Sequence, residues 1–148
     1  MNNTTYEATN TAVIRQRMYD NIIGDGEYDV YQVVRRLITL LGFKSKLLGT
    51  QYIQDAILHR YINSNFMYVG MTNNAYVAVA DLRHSTSTRV ERAIRNTILD
   101  CYTHGSLKSF NDLAQAQIIA SDYAPSNGEF MSSVVNWLQM EKQSGRIK

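Results

Sequence analysis

The stretch from Ala75 to Cys101, AYVAVADLRHSTSTRVERAIRNTILDC, constrains the fold more than any other part of the chain. Two runs in which apolar residues recur with helical spacing flank a short polar segment at 84–87. Ala80, in the first run, is small enough to let another helix approach closely, and the hydroxyl residues of the polar segment suit the start of a helix. The stretch therefore predicts two helices that pack against each other through a tight turn.

The second of these helices has two chemically different sides. At about 100° per residue, one side is apolar, which predicts burial against a core. The apolar side holds Val90, Ala93, Ile94, Thr97, Ile98 and Cys101. The opposite side holds Thr88, Arg89, Arg92, Arg95 and Asn96, with Glu91 at its edge. A solvated helix face usually mixes lysine with glutamate, so a face whose only cations are arginines indicates a specific partner.

Arginine chemistry indicates which partner would fit. Each guanidinium is a flat fork of donors that matches a phosphate or the O6/N7 edge of guanine, and the carboxylate of Glu91 can accept from cytosine N4. A helix-turn-helix places its second helix in the major groove and presents such groups from the first turns of that helix. Hydroxyl groups near the turn, such as that of Ser87, can cap the helix or donate to phosphates. Binding to duplex DNA is therefore the functional hypothesis for this stretch.

A purely structural interpretation fits the same residues. Thr88-x-x-Glu91 matches a capping box, in which Glu91 would satisfy a backbone amide at the helix start. Arg89 and Arg95 would then simply be solvated. Periodicity alone leaves both interpretations open.

Composition narrows the class of protein without identifying a partner. The chain has 148 residues, 45% of them hydrophobic, which suits one domain with its own core. The formal net charge of +2 is too small to indicate nucleic acid, so the hypothesis depends on local clustering: four arginines and one acid lie between Arg83 and Arg95. The single cysteine, Cys101, excludes an internal disulfide and is expected to be a buried core residue.

The sequence has no pattern that predicts catalysis, a metal, a cofactor or a membrane segment. No cysteine or histidine pair has metal-ligand spacing, and no glycine-rich phosphate loop follows a predicted strand. A secretory signal and an apolar run of membrane length are also absent. We therefore expect a cytoplasmic protein that is not an enzyme.

The chain before Ala75 predicts further helices. Residues 1–10 are polar and expected to be disordered, and Thr11 to Ile23 is expected to form a short helix. Asp29 to Leu41 has a strong amphipathic pattern, with Gln32 completing a capping box and Gly42 at the position just after the helix.

The remaining segments give weaker or more local signals. Residues 50–62 predict a helix, whereas the apolar run at 66–71 predicts a loop or a helix start. Ser106 is placed to cap a short helix, and Ser126-x-x-Glu129 predicts a second capping box that opens a final helix. The charged tail at 141–148 is expected to fray.

Four segments, taken in order along the chain, resemble one known family. LGFKSKLLGTQYIQDAI, STSTRVERAIRNTI, GSLKSFNDL and APSNGEF are similar to the DNA-binding effector domain of the sporulation response regulator, stage zero sporulation protein A. The resemblance runs from about Asp29 to Met140. It implies an all-α domain, which we expect to contain about six helices and a helix-turn-helix over residues 28–148. A partly disordered extension with a short helix is expected over residues 1–27.

The resemblance also implies roles for individual residues. Arg92 and Glu91 would contact base edges, and Arg95 would contact a base or the backbone. Residues 87–89 would hold phosphates at the helix N-terminus, where the helix dipole favours anions. Asn96 stands where the family has a histidine, so fine specificity is expected to differ. The expected DNA-binding residues are Ser87, Thr88, Arg89, Glu91, Arg92, Arg95 and Asn96.

For the whole molecule, the resemblance implies sequence-specific binding to double-stranded DNA at a TGTCGAA-like box, as homodimers on tandem sites. It also implies that residues 105–118 contact the sigma subunit of RNA polymerase. The residues before Asp29 are too few to hold the receiver domain of the family, so we expect no phosphorylation-driven dimerisation within this chain. The N-terminal helix is a candidate substitute contact, or else it packs on its own domain.

Three functions stay open from the sequence. The first is a DNA-binding transcription regulator, and the second is a competitor that occupies the same boxes without activating polymerase. The third is a protein-interaction module that kept the fold and lost DNA binding.

Overall fold

The computed structural model describes residues 3–64 and 71–148, with side chains placed for 12–64 and 75–148. Over these residues the chain forms seven α-helices and no strand, which confirms the expected all-α fold. None of the described helices combines the length and hydropathy needed to span a membrane. The predicted loop or helix start at 66–70 lies outside the described residues. The helices are α1 (Asn3–Ile23), α2 (Val30–Leu40), α3 (Leu48–Ile62), α4 (Met71–Arg83), α5 (Ser87–His104), α6 (Phe110–Ala114) and α7 (Asn127–Gln143), with a 3₁₀ turn (Leu107–Ser109) before α6.

Both predicted capping boxes outside the helix pair are confirmed. At the start of α2, Asp29 Oδ1 accepts from the Gln32 amide and Gln32 Oε1 accepts from the Asp29 amide, each at 3.0 Å. At the start of α7, Ser126 Oγ accepts from the Glu129 amide at 3.1 Å, and Glu129 Oε1 accepts in return at 3.2 Å. Gly42 follows α2 with φ +90°, a left-handed conformation that favours glycine. The residues of each of these features lie within about one helical turn of one another, so the local sequence is sufficient to predict the feature.

Helix α3 contacts α2, α4, α5 and α7 and therefore organises the core. Ile53, Ala56 and Ile57 are fully buried, as predicted. The helix begins at Leu48 rather than at Thr50. Thr50 therefore lies inside the first turn, and its hydroxyl donates at 2.6 Å to the carbonyl of Lys44 in the preceding loop.

Helices α3 and α5 approach each other at Gly49. A Cβ at this position would collide with the carbonyl of Ala93 and would lie 2.9 Å from Thr97 Cβ. Beside this contact, the buried hydroxyls of Thr50 and Thr97 lie 3.2 Å apart. Backbone packed on backbone therefore fixes the middle of α5 against α3.

An aromatic cluster joins the loop after α2 to α6 and α7. The ring centroids of Phe43 and Phe130 lie 5.8 Å apart, and Phe110 lies 6.2 Å from both Phe130 and Trp137. Trp137 is 5% exposed, so it belongs to the core. Aromatic pairs at these separations stabilise a core beyond the area they bury.

Helix α1 begins at Asn3 rather than at Thr11, so the prediction of disorder for residues 3–10 was wrong. Extending a helix that is already formed costs much less free energy than nucleating a new one. The polar residues before Thr11 can therefore continue the helix that the later residues begin. Ile22 and Ile23 are buried at its other end, and Tyr19 Oη donates to Glu141 Oε2 at 2.6 Å. This end of α1 thus packs on its own domain, which is one of the two arrangements expected for it.

The C-terminal tail is anchored, whereas the sequence predicted that it frays. Arg146 Nε donates to Glu141 Oε2 at 2.6 Å, and Ile147 is only 3% exposed. The Lys148 amide donates to the Tyr28 carbonyl at 3.2 Å. The prediction depended on the many charged residues of the tail. Burial of Ile147 and the partly buried ion pair of Arg146 with Glu141 hold the tail in place in spite of them.

Ser106 does not cap the short helix that follows α5, contrary to the prediction. Its side chain makes no capping hydrogen bond, and its amide donates to the Leu41 carbonyl at 2.8 Å. At the adjacent Gly105, a Cβ would lie 2.9 Å from the Cys101 carbonyl oxygen and 3.0 Å from that of Gly42. The close contact between the ends of α2 and α5 therefore shapes this segment.

Candidate nucleic-acid interface

The predicted pair of helices with a tight turn is present as α4 and α5. His84 has φ +55°, a left-handed conformation that reverses the chain, and the Ser85 amide donates to the Ala80 carbonyl at 2.9 Å. Thr86 is the N-cap of α5, and its hydroxyl accepts from the Arg89 amide at 3.2 Å. The turn thus places Ser87 and the residues after it at the N-terminus of a new helix.

The capping box predicted from Thr88 and Glu91 was wrong. Thr88 lies inside the first turn because Thr86 already occupies the N-cap position. Glu91 instead accepts from Arg95 Nη1 at 3.1 Å, one turn further along the helix. The structural interpretation of Glu91 as a capping residue is therefore excluded by the observed start of α5.

The apolar side of α5 is buried as predicted, except that Ala93 is only partly buried. Cys101 is fully buried, and its Sγ donates to the Leu41 carbonyl at 3.1 Å. Burial raises the pKa of this thiol to about 12, so it stays protonated near neutral pH. Cys101 is a core residue, as expected. The fully or nearly fully buried positions of the helix are Val90, Ile94, Thr97, Ile98 and Cys101.

The predicted DNA-binding residues all lie on the solvent-facing side of α5. Glu91 is half-buried, with 33% of its side chain exposed. The exposed members of the set are Ser87, Thr88, Arg89, Arg92, Arg95 and Asn96. The fold therefore brings every residue of the set to one surface, which lies at the N-terminal half of α5.

The charges on this surface are only partly paired. Arg95 bonds Glu91, and 58% of the Arg95 side chain is exposed. Among the described residues, neither Arg89 nor Arg92 lies within ion-pair distance of a carboxylate. These two guanidiniums can bind an anion or a base edge without first breaking an ion pair.

Arg83, which the sequence places in the same basic cluster, lies elsewhere. Its guanidinium donates to both carboxylate oxygens of Asp55, at 2.7 and 3.2 Å. The hydrogen bonds from Arg83 to Asp55 raise the pKa of the guanidinium further above its usual value. Arg83 therefore ties α4 to α3, and the basic surface consists of the arginines of α5.

Sequence reasoning missed one residue that touches both helices of the pair. Asn127, at the start of α7, donates from Nδ2 to Tyr76 Oη on α4 and to the Glu91 carbonyl on α5, each at 3.1 Å. The Ser126 and Glu129 pattern predicted a helix start here, but no local pattern indicates contacts with residues this distant in the chain.

A cleft of about 260 Å³ between α4 and α5 is lined by Tyr76, Val77, Ser87, Thr88 and Glu91.

An all-α domain in which a tight turn leads into an exposed, arginine-bearing helix is typical of one class, the helix-turn-helix DNA-binding domains. Comparison with protein-family models then gives the family: the one described as Sporulation initiation factor Spo0A C terminal matches residues 34–138. The chain belongs to this family. The family is that of the C-terminal DNA-binding domain of Spo0A, a regulator of transcription in sporulation. This is a regulatory family rather than an enzyme family, which supports a function without catalysis.

Proposed function

We propose that this protein binds duplex DNA sequence-specifically through the exposed side of α5 and thereby regulates transcription. The observation that carries the proposal is the arginine-rich surface at the N-terminal half of α5, next to the turn from α4. Arg89 and Arg92 lie there without a carboxylate partner among the described residues. A guanidinium that is already solvated and unpaired can exchange water for a phosphate or a base edge at little cost.

The residues of this surface take different roles in the proposal. Arg92 donates both arms of its fork to guanine O6 and N7, and Glu91 accepts from cytosine N4. Arg89 holds a phosphate together with Ser87 and Thr88, where the partial positive charge of the α5 N-terminus also attracts the anion. Asn96 lies at the far end of this surface and contacts DNA in the same groove.

Arg95 has a distinct role because it is paired in the free protein. Its contact with Glu91 is exposed, so the pair contributes little stability and can be exchanged for DNA contacts. Arg95 then contacts a base or a phosphate while Glu91 turns toward cytosine.

At the level of the whole molecule, the proposal includes a TGTCGAA-type box and binding as homodimers on tandem sites. Residues 105–118, which include the 3₁₀ turn and α6, are proposed to contact the sigma subunit of RNA polymerase. Because the target is DNA, a cytoplasmic site of action also belongs to the proposal.

The proposal is tested by fluorescence anisotropy with two duplexes, one carrying two tandem TGTCGAA-type boxes and one scrambled. A specific reader should prefer the box by about a thousandfold or more, with log affinity falling steeply as log salt rises. Equal, weak binding to both duplexes would contradict the proposed box. Selection from random sequence would then separate a changed target from a protein-interaction module.

A transcription assay separates the regulator from the competitor. Promoters that carry the box are transcribed by RNA polymerase with and without this protein, once in the absence and once in the presence of a sporulation regulator that activates them. A regulator changes transcription in the absence of the second protein. A competitor changes transcription only in its presence, by lowering the activation.

A further inference from the structure

One side chain in the segment APSNGEF joins three helices. Asn127 is the first residue of α7, and it is 7% exposed. From there its Nδ2 donates to Tyr76 Oη on α4 and to the Glu91 carbonyl on α5, each at 3.1 Å. Helix α7 does not need these contacts to begin, since Ser126 and Glu129 already form its capping box. The side chain of Asn127 is therefore available to hold α4 and α5 together.

The carbonyl of Glu91 fixes the orientation of the Asn127 amide. A main-chain carbonyl such as that of Glu91 can only accept a hydrogen bond, so the group that faces it must be a donor. The side-chain NH₂ of Asn127 has two N–H groups, and the two contacts use both of them. A carboxylate at this position would have the same shape and no donor, and it would face the carbonyl of Glu91 with an unfavourable oxygen.

The contact of Asn127 with α5 lies close to the residues that are proposed to bind DNA. The middle of α5 is fixed where Gly49 lies against Ala93, and its C-terminal part is fixed where Cys101 Sγ donates to the Leu41 carbonyl. Asn127 holds the helix nearer its start, at the residue just before Arg92. It is also buried against Tyr76, which is 7% exposed and belongs to the first helix of the pair.

We propose that Asn127 is a positioning residue for DNA recognition, which sets the angle between α4 and α5 and so aims the first turns of α5 at the bases. The inference rests on the function proposed above, because it concerns the geometry with which the same surface reads DNA. Asn127 itself touches no DNA in this arrangement. Its loss should lower discrimination between sequences more than it lowers the affinity for DNA in general, because phosphate contacts tolerate small rotations that bidentate base contacts do not.

The test compares Asn127→Ala, Asn127→Asp and Tyr76→Phe with the wild-type chain, at temperatures where circular dichroism shows each to be folded. The ratio of the dissociation constants for scrambled and box duplexes is the measured quantity. We expect Asn127→Ala and Asn127→Asp to lower this ratio by about tenfold or more, comparable to the loss of one bidentate base contact. In Asn127→Ala, the affinity for the scrambled duplex should stay within about twofold of wild type.

Tyr76→Phe keeps the ring and removes only the hydroxyl that accepts from Asn127, so it should fold and show a lower ratio than wild type. When it is added to Asn127→Ala, it should cause no further loss, because its effect acts through the amide. Gly128→Ala is the matched control, since it changes the next residue of α7 and its Cβ would meet no atom within 4 Å. A wild-type ratio in folded Asn127→Ala, or losses that multiply in the double variant, would overturn the inference.

A measurement without DNA separates this inference from the proposed function. Residual dipolar couplings of the ¹⁵N-labelled chain report the orientation of α5 relative to α4. We expect the orientation to change in Asn127→Ala and to be unchanged in Gly128→Ala. If the wild-type chain shows no box preference, the proposed function fails, and the couplings still decide whether Asn127 positions α5. Couplings identical to wild type in Asn127→Ala would overturn the positioning role whatever the DNA experiment gives.

Discussion

Arg95 Nη1 donates to Glu91 Oε1 at 3.1 Å, so a residue proposed to read cytosine is paired in the free protein with a residue proposed to contact DNA. The two are one helical turn apart, and both are exposed enough for solvent to weaken their attraction. The pair therefore orients both side chains without locking either.

Replacing Glu91 with Gln removes the negative charge, which weakens acceptance from cytosine N4 and frees Arg95 for phosphate. We expect Glu91→Gln to bind scrambled DNA more tightly while losing about 1–3 kcal/mol of discrimination for the box. Anisotropy with both duplexes measures the two effects. Asp122→Asn, in the exposed loop before α7, removes the same charge and should leave the discrimination unchanged. A Glu91→Gln protein with undiminished discrimination would show that the charge of Glu91 contributes nothing to base reading.

Arg92 is the proposed fork to guanine. Arg92→Ala should weaken binding to the box by about 1–3 kcal/mol and relax specificity at a single base pair. The check is a panel of boxes with each base pair substituted in turn. Arg35→Ala, which removes an exposed arginine from α2, is the control. If the variant discriminates at every position as the wild type does, the base-reading assignment of Arg92 is wrong.

Arg89 is proposed to hold a phosphate and should behave differently from Arg92. Arg89→Ala should weaken binding to box and scrambled duplexes alike, and it should reduce the slope of log affinity against log salt by about one unit. The salt series used for the wild-type chain provides this slope. A slope equal to that of wild type would place Arg89 away from the phosphates.

Gly49 should tolerate no side chain, because a Cβ would collide with the Ala93 carbonyl. Gly49→Ala is expected to lower the free energy of unfolding by about 1–3 kcal/mol through overpacking between α3 and α5. Urea denaturation followed by circular dichroism measures this change. Gly128→Ala is the control, since its Cβ lies in open space, and it should raise stability by up to about 1 kcal/mol. Equal stability of the two variants would contradict the close approach at Gly49.

Cys101 should make stability depend on pH in the alkaline range. Its pKa is raised by burial from 9.0 to about 12, so the folded chain keeps a proton that the unfolded chain releases above about pH 9. The stabilisation linked to this proton is complete below pH 9 and is lost as pH rises toward 12. Cys101→Ser keeps a donor for the Leu41 carbonyl but does not titrate here, so its unfolding free energy should fall less steeply over this range. Identical pH profiles would contradict the raised pKa.

The parts of the fold that local sequence determines could be predicted. Asp29 with Gln32 and Ser126 with Glu129 each form a capping box within one turn, and both are confirmed. The same kind of pattern failed for Thr88 because the run STST offers several hydroxyl caps. Only the packed structure selects Thr86 as the N-cap.

The contacts that complete the site join residues far apart in the chain, and no periodicity reports them. Arg83 and Asp55 are separated by 28 positions, and Asn127 and Tyr76 by 51. The sequence therefore predicted which side of α5 is exposed, but not that Arg83 leaves the basic cluster or that α7 holds both helices. The anchored tail was missed for the same reason, since the Lys148 amide donates to the carbonyl of Tyr28, which lies far away in the chain.

The close approach at Gly49 has a thermodynamic consequence for recognition. Because α5 is seated directly on the backbone of α3, its conformational entropy is already lost when the chain folds, and no ordering of this helix remains for the encounter with DNA. The heat-capacity change of binding should then contain no contribution from folding of α5 on its target.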